Sequence, residues 1–263
     1  MLRKNFLREK LQAGAPVVGT WSIIPSPVVA DVIAAAGMDF LIIDAEHGPI
    51  HYETALGMTM ACESRGTSPV MRVGGIIEAE ILRALDIGVH CLQVPNVSSL
   101  DDVDRLIRFA KYPPTGNRGF SPFTRAGGYS AAQAGELTRT ANEQVLLAIH
   151  IEGREAIDRL DEILLRPEIE IVFLGLFDIS KSLGIPGQVD DPHLLELVRS
   201  MTEKIIRARK YPGTIVLNRD RMRFFLEMGM KYLTYSVDCE LLTRACATVR
   251  QEFLEARPRG GKP

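Results

Sequence analysis

The chain has 263 residues, of which 46% are hydrophobic and 24% charged, with a formal net charge of -2. That balance belongs to a globular protein, and without a basic stripe it excludes the usual electrostatic footprint of a nucleic-acid binder. No apolar run approaches the roughly 18 residues of a membrane span, and the charged N-terminal stretch MLRKNFLREKLQAG lacks a signal-peptide core, so a soluble cytoplasmic protein without a membrane partner is expected.

Cys62, Cys91, Cys239 and Cys246 share no CxxC spacing, which points to reduced, mostly buried thiols rather than a zinc site or a disulfide framework. No Ser/Gly/Pro-rich linker divides the chain, so residues 1–263 are read as one domain, with 255–263 as a disordered tail.

In chain order, Val17 to Trp21 reads as a short strand, and Pro27 opens a helix that Gly37 closes. Strand Phe40 to Asp44 precedes a helix from Tyr52 to Arg65, strand Pro69 to Arg72 precedes Glu78 to Leu85, and strand Val89 to Val94 precedes Ser98 to Lys111. Tyr112 to Asn142 breaks this rhythm with Pro113, Pro114 and several glycines, and a loop of that length inside a domain is usually functional. The alternation then resumes. Strand Val145 to Ile151 is followed by helix Arg154 to Leu164, and strand Ile171 to Leu174 by a Gly-rich loop and helix Pro192 to Lys210. Gly213 to Leu217 with Asp220 to Glu227, and Tyr232 to Tyr235 with Glu240 to Glu255, complete the series. Eight strand-helix units in about 240 residues are the arithmetic of an α/β fold of the (β/α)8 TIM-barrel type. A doubly wound sheet is the alternative, but no GxGxxG follows the first strand.

In such a barrel the carboxyl ends of the strands form one ring, and side chains there act on ligands. That ring would collect Asp44, Glu46 and His47 from the second strand, Arg72 from the third, Gln93 and Pro95 from the fourth, His150 and Glu152 from the fifth, Gly175 to Asp178 from the sixth, and Ser236 and Asp238 from the eighth. Two readings stand for Glu152 and Asp178. They share a hard divalent cation such as Mg²⁺ or Mn²⁺, or each caps the helix that follows it. His47 is either a general base oriented by Asp44 or a histidine in a solvated turn. Arg72, at a buried strand end, needs an anionic ligand or a structural carboxylate partner. Schiff-base chemistry would fall to Lys181 or Lys231, but the first lies beyond a strand end and the second at the opposite rim.

The stretches FLIIDAEHGP, VMRVGG, LDIGVHCLQVPNV, KYPPTGNRGFSPFTRAGGY, IHIEGREAI, LGLFDISKSLGIPGQ and YLTYSVDCELL resemble, in order and spacing, the HpcH/HpaI aldolases, from roughly Gly19 to Leu242. The resemblance implies a pyruvate-type barrel and a metal-dependent class II aldolase, a lyase that makes an enolate from a 2-oxo acid and adds it to an aldehyde. It implies His47 as the base with Asp44 and Asp86 as orienting partners, and Arg72 as the residue that binds substrate and stabilises the enolate. Glu152 and Asp178 would ligate a divalent cation (Mg²⁺ or Mn²⁺, with Co²⁺ a further candidate), while Arg72, His150, Gly175, Phe177 and Asp178 would contact substrate. A homo-oligomer is implied too, a hexamer built from dimers, with the final helix exchanged between neighbours. Two positions depart from the family pattern: His150 replaces a common glutamine, and Phe177 a small residue. For that reason an acyl-CoA enolate condensing with oxaloacetate, as in a citrate synthase, and a 2-oxo-acid decarboxylase are carried as alternatives.

Overall fold

In a computed structural model that describes residues 4–257, eight parallel strands close into a barrel in the order in which they occur in the chain. Helix α1 (Phe6–Gln12) precedes β1 (Val17–Ser22) and α2 (Pro27–Ala35), then β2 (Phe40–Asp44) with α3 (Tyr52–Ser64), and β3 (Ser68–Arg72) with α4 (Glu78–Asp86). Next come β4 (Cys91–Val94) with α5 (Leu100–Ala110) and α6 (Ala134–Gln144), then β5 (Leu146–Ile151) with α7 (Arg154–Asp158) and α8 (Leu160–Ile163). The last three strands are β6 (Ile171–Leu174) with α9 (Leu176–Ser182) and α10 (Pro192–Arg207), β7 (Tyr211–Val216) with α11 (Arg219–Glu227), and β8 (Tyr232–Val237) with α12 (Asp238–Ala256).

Side chains alternate between barrel interior and helix-covered exterior because successive residues of a strand face opposite ways. Phe40, Ile42, Val70, Cys91, Leu146, Ala148, Ile171, Phe173 and Tyr232 share the interior cluster, whereas Leu41, Ile43, Met71, Leu92, Leu147 and Ile149 pack outward. Continuing the interior line by two residues gives Asp44, Arg72, Gln93, His150 and Gly175, and one further step past β5 gives Glu152. The period that builds the core therefore also delivers the polar ring. Glycine at position 19 is needed for the interior, since a Cβ there would fall 2.4 Å from the Phe40 carbonyl oxygen. Phe40 then stacks on Tyr232 with ring centroids 4.3 Å apart. The opposite end of the barrel is closed by Leu7 and Leu11 of α1, which Asn5 fixes by donating to the His90 and Gln144 carbonyls.

Several elements differ from the sequence reading. The segment expected to be a loop through Asn142 contains α6, whose polar surface covers only two buried residues, Leu137 and Ala141. The Gly-rich loop after β6 opens with α9, so Asp178 stands in the first turn of a helix. Residues 255 and 256 of the expected tail belong to α12, which runs to Ala256, and residues 258–263 lie outside the described residues. Of the cysteines, all free, Cys62 and Cys91 are buried but Cys239 is half-buried and Cys246 exposed. Among the described residues no helix is long and apolar enough to cross a membrane.

Helix α12 does not complete the shell. Only Asp238 of its residues is buried, while Leu242, Val249 and Phe253 are 57%, 64% and 58% exposed, as are Val28 (71%) and Val32 (63%) on α2.

Lys111 is buried at the N-terminal end of the barrel, where its ammonium donates to the Asn142 and Val145 carbonyls at 2.9 and 2.8 Å. Burial pushes its pKa down to about 8, against a partial rise from the Glu170 charge. The native state therefore releases the proton more readily than the unfolded chain. The associated stability is complete above the unfolded value of 10.5 and is lost as pH falls through about 8. Urea titrations of wild type and Lys111→Met at pH 7 and pH 10.5 should show the wild type gaining about 3 kcal/mol relative to the variant over that interval. A difference that does not change with pH would refute the assignment.

Candidate active site

A cavity of about 320 Å³ opens at the carboxyl ends of the strands, with Trp21, Asp44, His47, Arg72, His150, Glu152, Phe173, Gly175, Phe177 and Asp178 in its wall. Eight residues singled out from the sequence thus meet at one place: Asp44, His47, Arg72, His150, Glu152, Gly175, Phe177 and Asp178. Asp86 is not among them.

Asp44 and Arg72 are cross-strand partners on β2 and β3. Arg72 Nε donates to Asp44 Oδ1 at 2.8 Å and one terminal nitrogen to Oδ2 at 2.6 Å, while its other terminal nitrogen lies 2.8 Å from Glu46 Oε2. The guanidinium carbon stands 4.2 Å from the centre of the Trp21 ring, a cation-π contact that holds the flat of the group. Two carboxylates and one aromatic face fix this arginine, yet a guanidinium carries more N–H groups than they use, and those remain to meet an anion at the cavity wall.

His47 sits in the turn after β2, where the backbone N–H groups of Glu46 and His47 both donate to Asp44 Oδ1, at 3.1 and 3.3 Å. Its imidazole is exposed at the cavity mouth, and among the described residues no side chain hydrogen-bonds to it. The expectation that Asp44 and Asp86 orient the ring is not met within one chain. Asp44 is committed to Arg72. Asp86 is the last residue of α4, and a helix that follows a barrel strand runs back toward the N-terminal end, away from β2's exit. There Asp86 accepts from Arg118 at 2.7 Å.

Glu152 has both oxygens engaged. Oε1 accepts the Asn96 backbone N–H at 2.7 Å, and Oε2 pairs with His150 Nδ1 at 3.2 Å. Asn96 presents that N–H from a left-handed conformation with φ of 57°, which asparagine tolerates better than most residues. Burial alone would raise the Glu152 pKa, but the His150 hydrogen bond, the Asn96 N–H and the Arg72 charge outweigh it and hold the carboxyl below its ordinary value. It is therefore an ionised oxygen donor. A Cβ at position 175 would come within 3.2 Å of Glu152 Oε2, so glycine keeps that side of the carboxylate open. Asp178 is exposed and shares the cavity wall. Among the described residues no group of three or more His, Cys, Asp or Glu side chains is placed to hold a metal. Two carboxylates, with water and substrate oxygens completing the sphere, suit a small hard divalent cation, so the residues present fit one.

Asp238, in contrast, is consumed by the fold: its carboxylate accepts from Ser22 Oγ and from the Ile23, Ile24 and Cys239 backbone N–H groups. Trp21 and Asn96 escaped the sequence reading. Trp21 lies one residue before the end of β1, so its place near a strand end could have found it; the role of Asn96 depends on one backbone dihedral and left no pattern. Neither Lys181 nor Lys231 lines the cavity, and the lysines that burial pushes down, Lys111 and Lys210, lie at the other end of the barrel.

Fold and site together define a (β/α)8 barrel with a cavity of ionisable side chains at its strand ends. A model of the HpcH/HpaI aldolase/citrate lyase family matches residues 18–245. A 4-hydroxy-2-oxo-heptane-1,7-dioate aldolase of Shigella sonnei is 32% identical over 251 residues, 95% of each chain. The crystal structure of an HpcH/HpaI aldolase from Desulfitobacterium hafniense DCB-2 matches with a TM-score of 0.91 and 27% identity, covering 99% of this chain and 100% of that one. The citrate synthase SbnG matches with a TM-score of 0.84 at 27% identity, over 95% of this chain and 99% of its own. The chain belongs to the HpcH/HpaI aldolase/citrate lyase family. It is a carbon-carbon lyase of the metal-dependent class II aldolase kind.

Proposed function

We propose that this aldolase takes a pyruvate-type 2-oxo acid as donor and an aldehyde as acceptor, and that Glu152 and Asp178 hold Mg²⁺ or Mn²⁺, with Co²⁺ as a further candidate. The observation that carries the reading is the placement of an immobilised Arg72 in the same cavity wall as an ionised Glu152, Asp178 and an unencumbered His47. A divalent cation there supplies positive charge at the keto oxygen, which makes the adjacent C–H acidic. His47 takes that proton, and Arg72 N–H groups stabilise the oxygen on which negative charge develops. The enolate carbon then attacks the aldehyde carbonyl, and the proton held by His47 returns to the new alkoxide; cleavage is the reverse. Phe177, 45% exposed in the cavity wall, narrows the space available to the acceptor.

The test is NMR of pyruvate methyl-proton exchange in D2O with Mg²⁺, with chelator, and with His47→Ala. Exchange that requires metal and His47 supports the reading; exchange unaffected by both removes it. The similarity to the citrate synthase SbnG favours one second reading, condensation of an acyl-CoA enolate with oxaloacetate. Citrate formed from acetyl-CoA and oxaloacetate, without pyruvate exchange, would select it. Decarboxylation of an oxaloacetate-like acid would draw on the same enolate stabilisation, and pyruvate formed from oxaloacetate alone would select it.

We further propose a dimer-based homo-oligomer, up to a hexamer, in which α12 crosses to the barrel of a neighbour. The apolar residues left exposed on α12 and on α2 support this, since exposed apolar side chains of this size are of the kind that subunits bury. Val249→Asp with Phe253→Asp should reduce the mass measured by light scattering from a multiple of the chain to a smaller species. An unchanged mass would exclude α12 from the contact. Four free thiols, two of them buried, fit a reducing, cytoplasmic location.

A further inference from the structure

Behind Glu152 runs a chain of hydrogen bonds into the barrel core. The Tyr232 hydroxyl donates to Gln93 Oε1 at 2.9 Å, the Gln93 amide nitrogen meets His150 Nε2 at 2.6 Å, and His150 Nδ1 meets Glu152 Oε2 at 3.2 Å. Donor logic assigns the protons along it. A phenol as deeply buried as Tyr232 keeps its proton and so turns the Gln93 oxygen toward itself. The amide N–H of Gln93 is then left to donate to His150 Nε2, which must be the unprotonated nitrogen. The ring proton is on Nδ1 and is given to Glu152. The ring is clamped besides: it stacks on Phe173 with centroids 4.8 Å apart, and Trp21 meets it edge-on at 6.0 Å. Tyr232 and Gln93 are fully buried and His150 is 2% exposed, so none of these groups can borrow water as a substitute partner.

The geometry points to His150 as a positioning residue that sets the affinity of the Glu152 carboxylate for its divalent cation. Its N–H takes one lone pair of Oε2, and the Asn96 N–H takes one of Oε1, which stops the carboxylate from rotating and leaves the remaining lone pairs to face the cavity. Such outer partners of metal ligands typically change affinity by roughly 10- to 100-fold. The inference rests on the cation site proposed above and adds to it a residue that touches neither cation nor reacting atoms.

Mn²⁺ binding to metal-stripped protein, read from the EPR signal of the free ion, tests it without reference to turnover. His150→Leu should bind Mn²⁺ roughly 10- to 100-fold more weakly than wild type. His150→Asn, whose amide N–H stands near the place of Nδ1–H, should recover most of that loss. Tyr232→Phe removes a single hydroxyl and is the safeguard if the leucine variant fails to fold; it should fall between the two. Thermal melts without metal establish that each variant is folded. Wild-type affinity in His150→Leu or in Tyr232→Phe, or an asparagine variant no better than leucine, overturns the proposal. Failure of the cation site itself looks different: wild type and Glu152→Gln would then bind Mn²⁺ equally poorly.

Discussion

Arg72→Ala is expected to lose roughly 10²- to 10³-fold in kcat/KM, the scale set by removing one donor from an oxyanion site. The charge that develops on the substrate oxygen would have no fixed partner at this wall, and water entering the gap must reorient at the moment of reaction. The substitution has a second effect, on stability. Asp44 is 2% exposed and Arg72 supplies both of its strong hydrogen bonds. Leaving a buried carboxylate unpaired costs on the order of 3 to 5 kcal/mol. Arg72→Lys separates the two effects, because an ammonium keeps the charge near Asp44 but cannot make the paired contact. It should restore much of the thermal midpoint and little of the turnover. Pyruvate exchange and thermal melts on both variants provide the check, and full turnover in Arg72→Ala would remove the arginine from the chemistry.

The other large effect belongs to the two carboxylates. Glu152→Gln and Asp178→Asn should each lower turnover on the order of 10³-fold, the equivalent of about 4 kcal/mol, if each ligates the ion that withdraws charge from the substrate carbonyl. The two variants differ in what else they disturb. Asp178 is exposed and its side chain makes no hydrogen bond to the described residues, so Asp178→Asn should melt with the wild type in the absence of metal. Glu152→Gln sets an amide where the Asn96 N–H and His150 N–H converge, and a donor facing donors should lower the midpoint as well. Added Mn²⁺ at high concentration should partly rescue Asp178→Asn. Turnover in chelator equal to that with metal would show that neither carboxylate serves a cation.

The strand positions were legible because burial writes them twice. Phe40 to Asp44 is apolar on both faces up to a charged end, and the structure has that strand with the same bounds. Its two-residue period then predicts which side of each strand end looks into the barrel, which is why Asp44, Arg72, His150 and Glu152 arrived together. Helices that bury little were less legible: α6 hides two side chains under a polar surface, and its sequence resembles a loop. Pairings across space were not legible at all. Asp86 finds Arg118 rather than His47 because of the direction in which α4 returns, and α12 carries an ordinary amphipathic pattern whose buried partner is missing from its own barrel. Helical periodicity tells that a face will be covered, not by which chain.

Trp21 has a consequence for observation. It is the sole tryptophan of the chain, and its indole carries the Arg72 guanidinium over its ring and stands perpendicular to the His150 ring, with Nε1–H donated to Thr234 at 3.0 Å. Light absorbed selectively by indole is therefore emitted from the cavity and from nowhere else. The protein carries its own reporter at the strand ends, and a ligand that draws Arg72 off the ring would change that emission without any label being introduced.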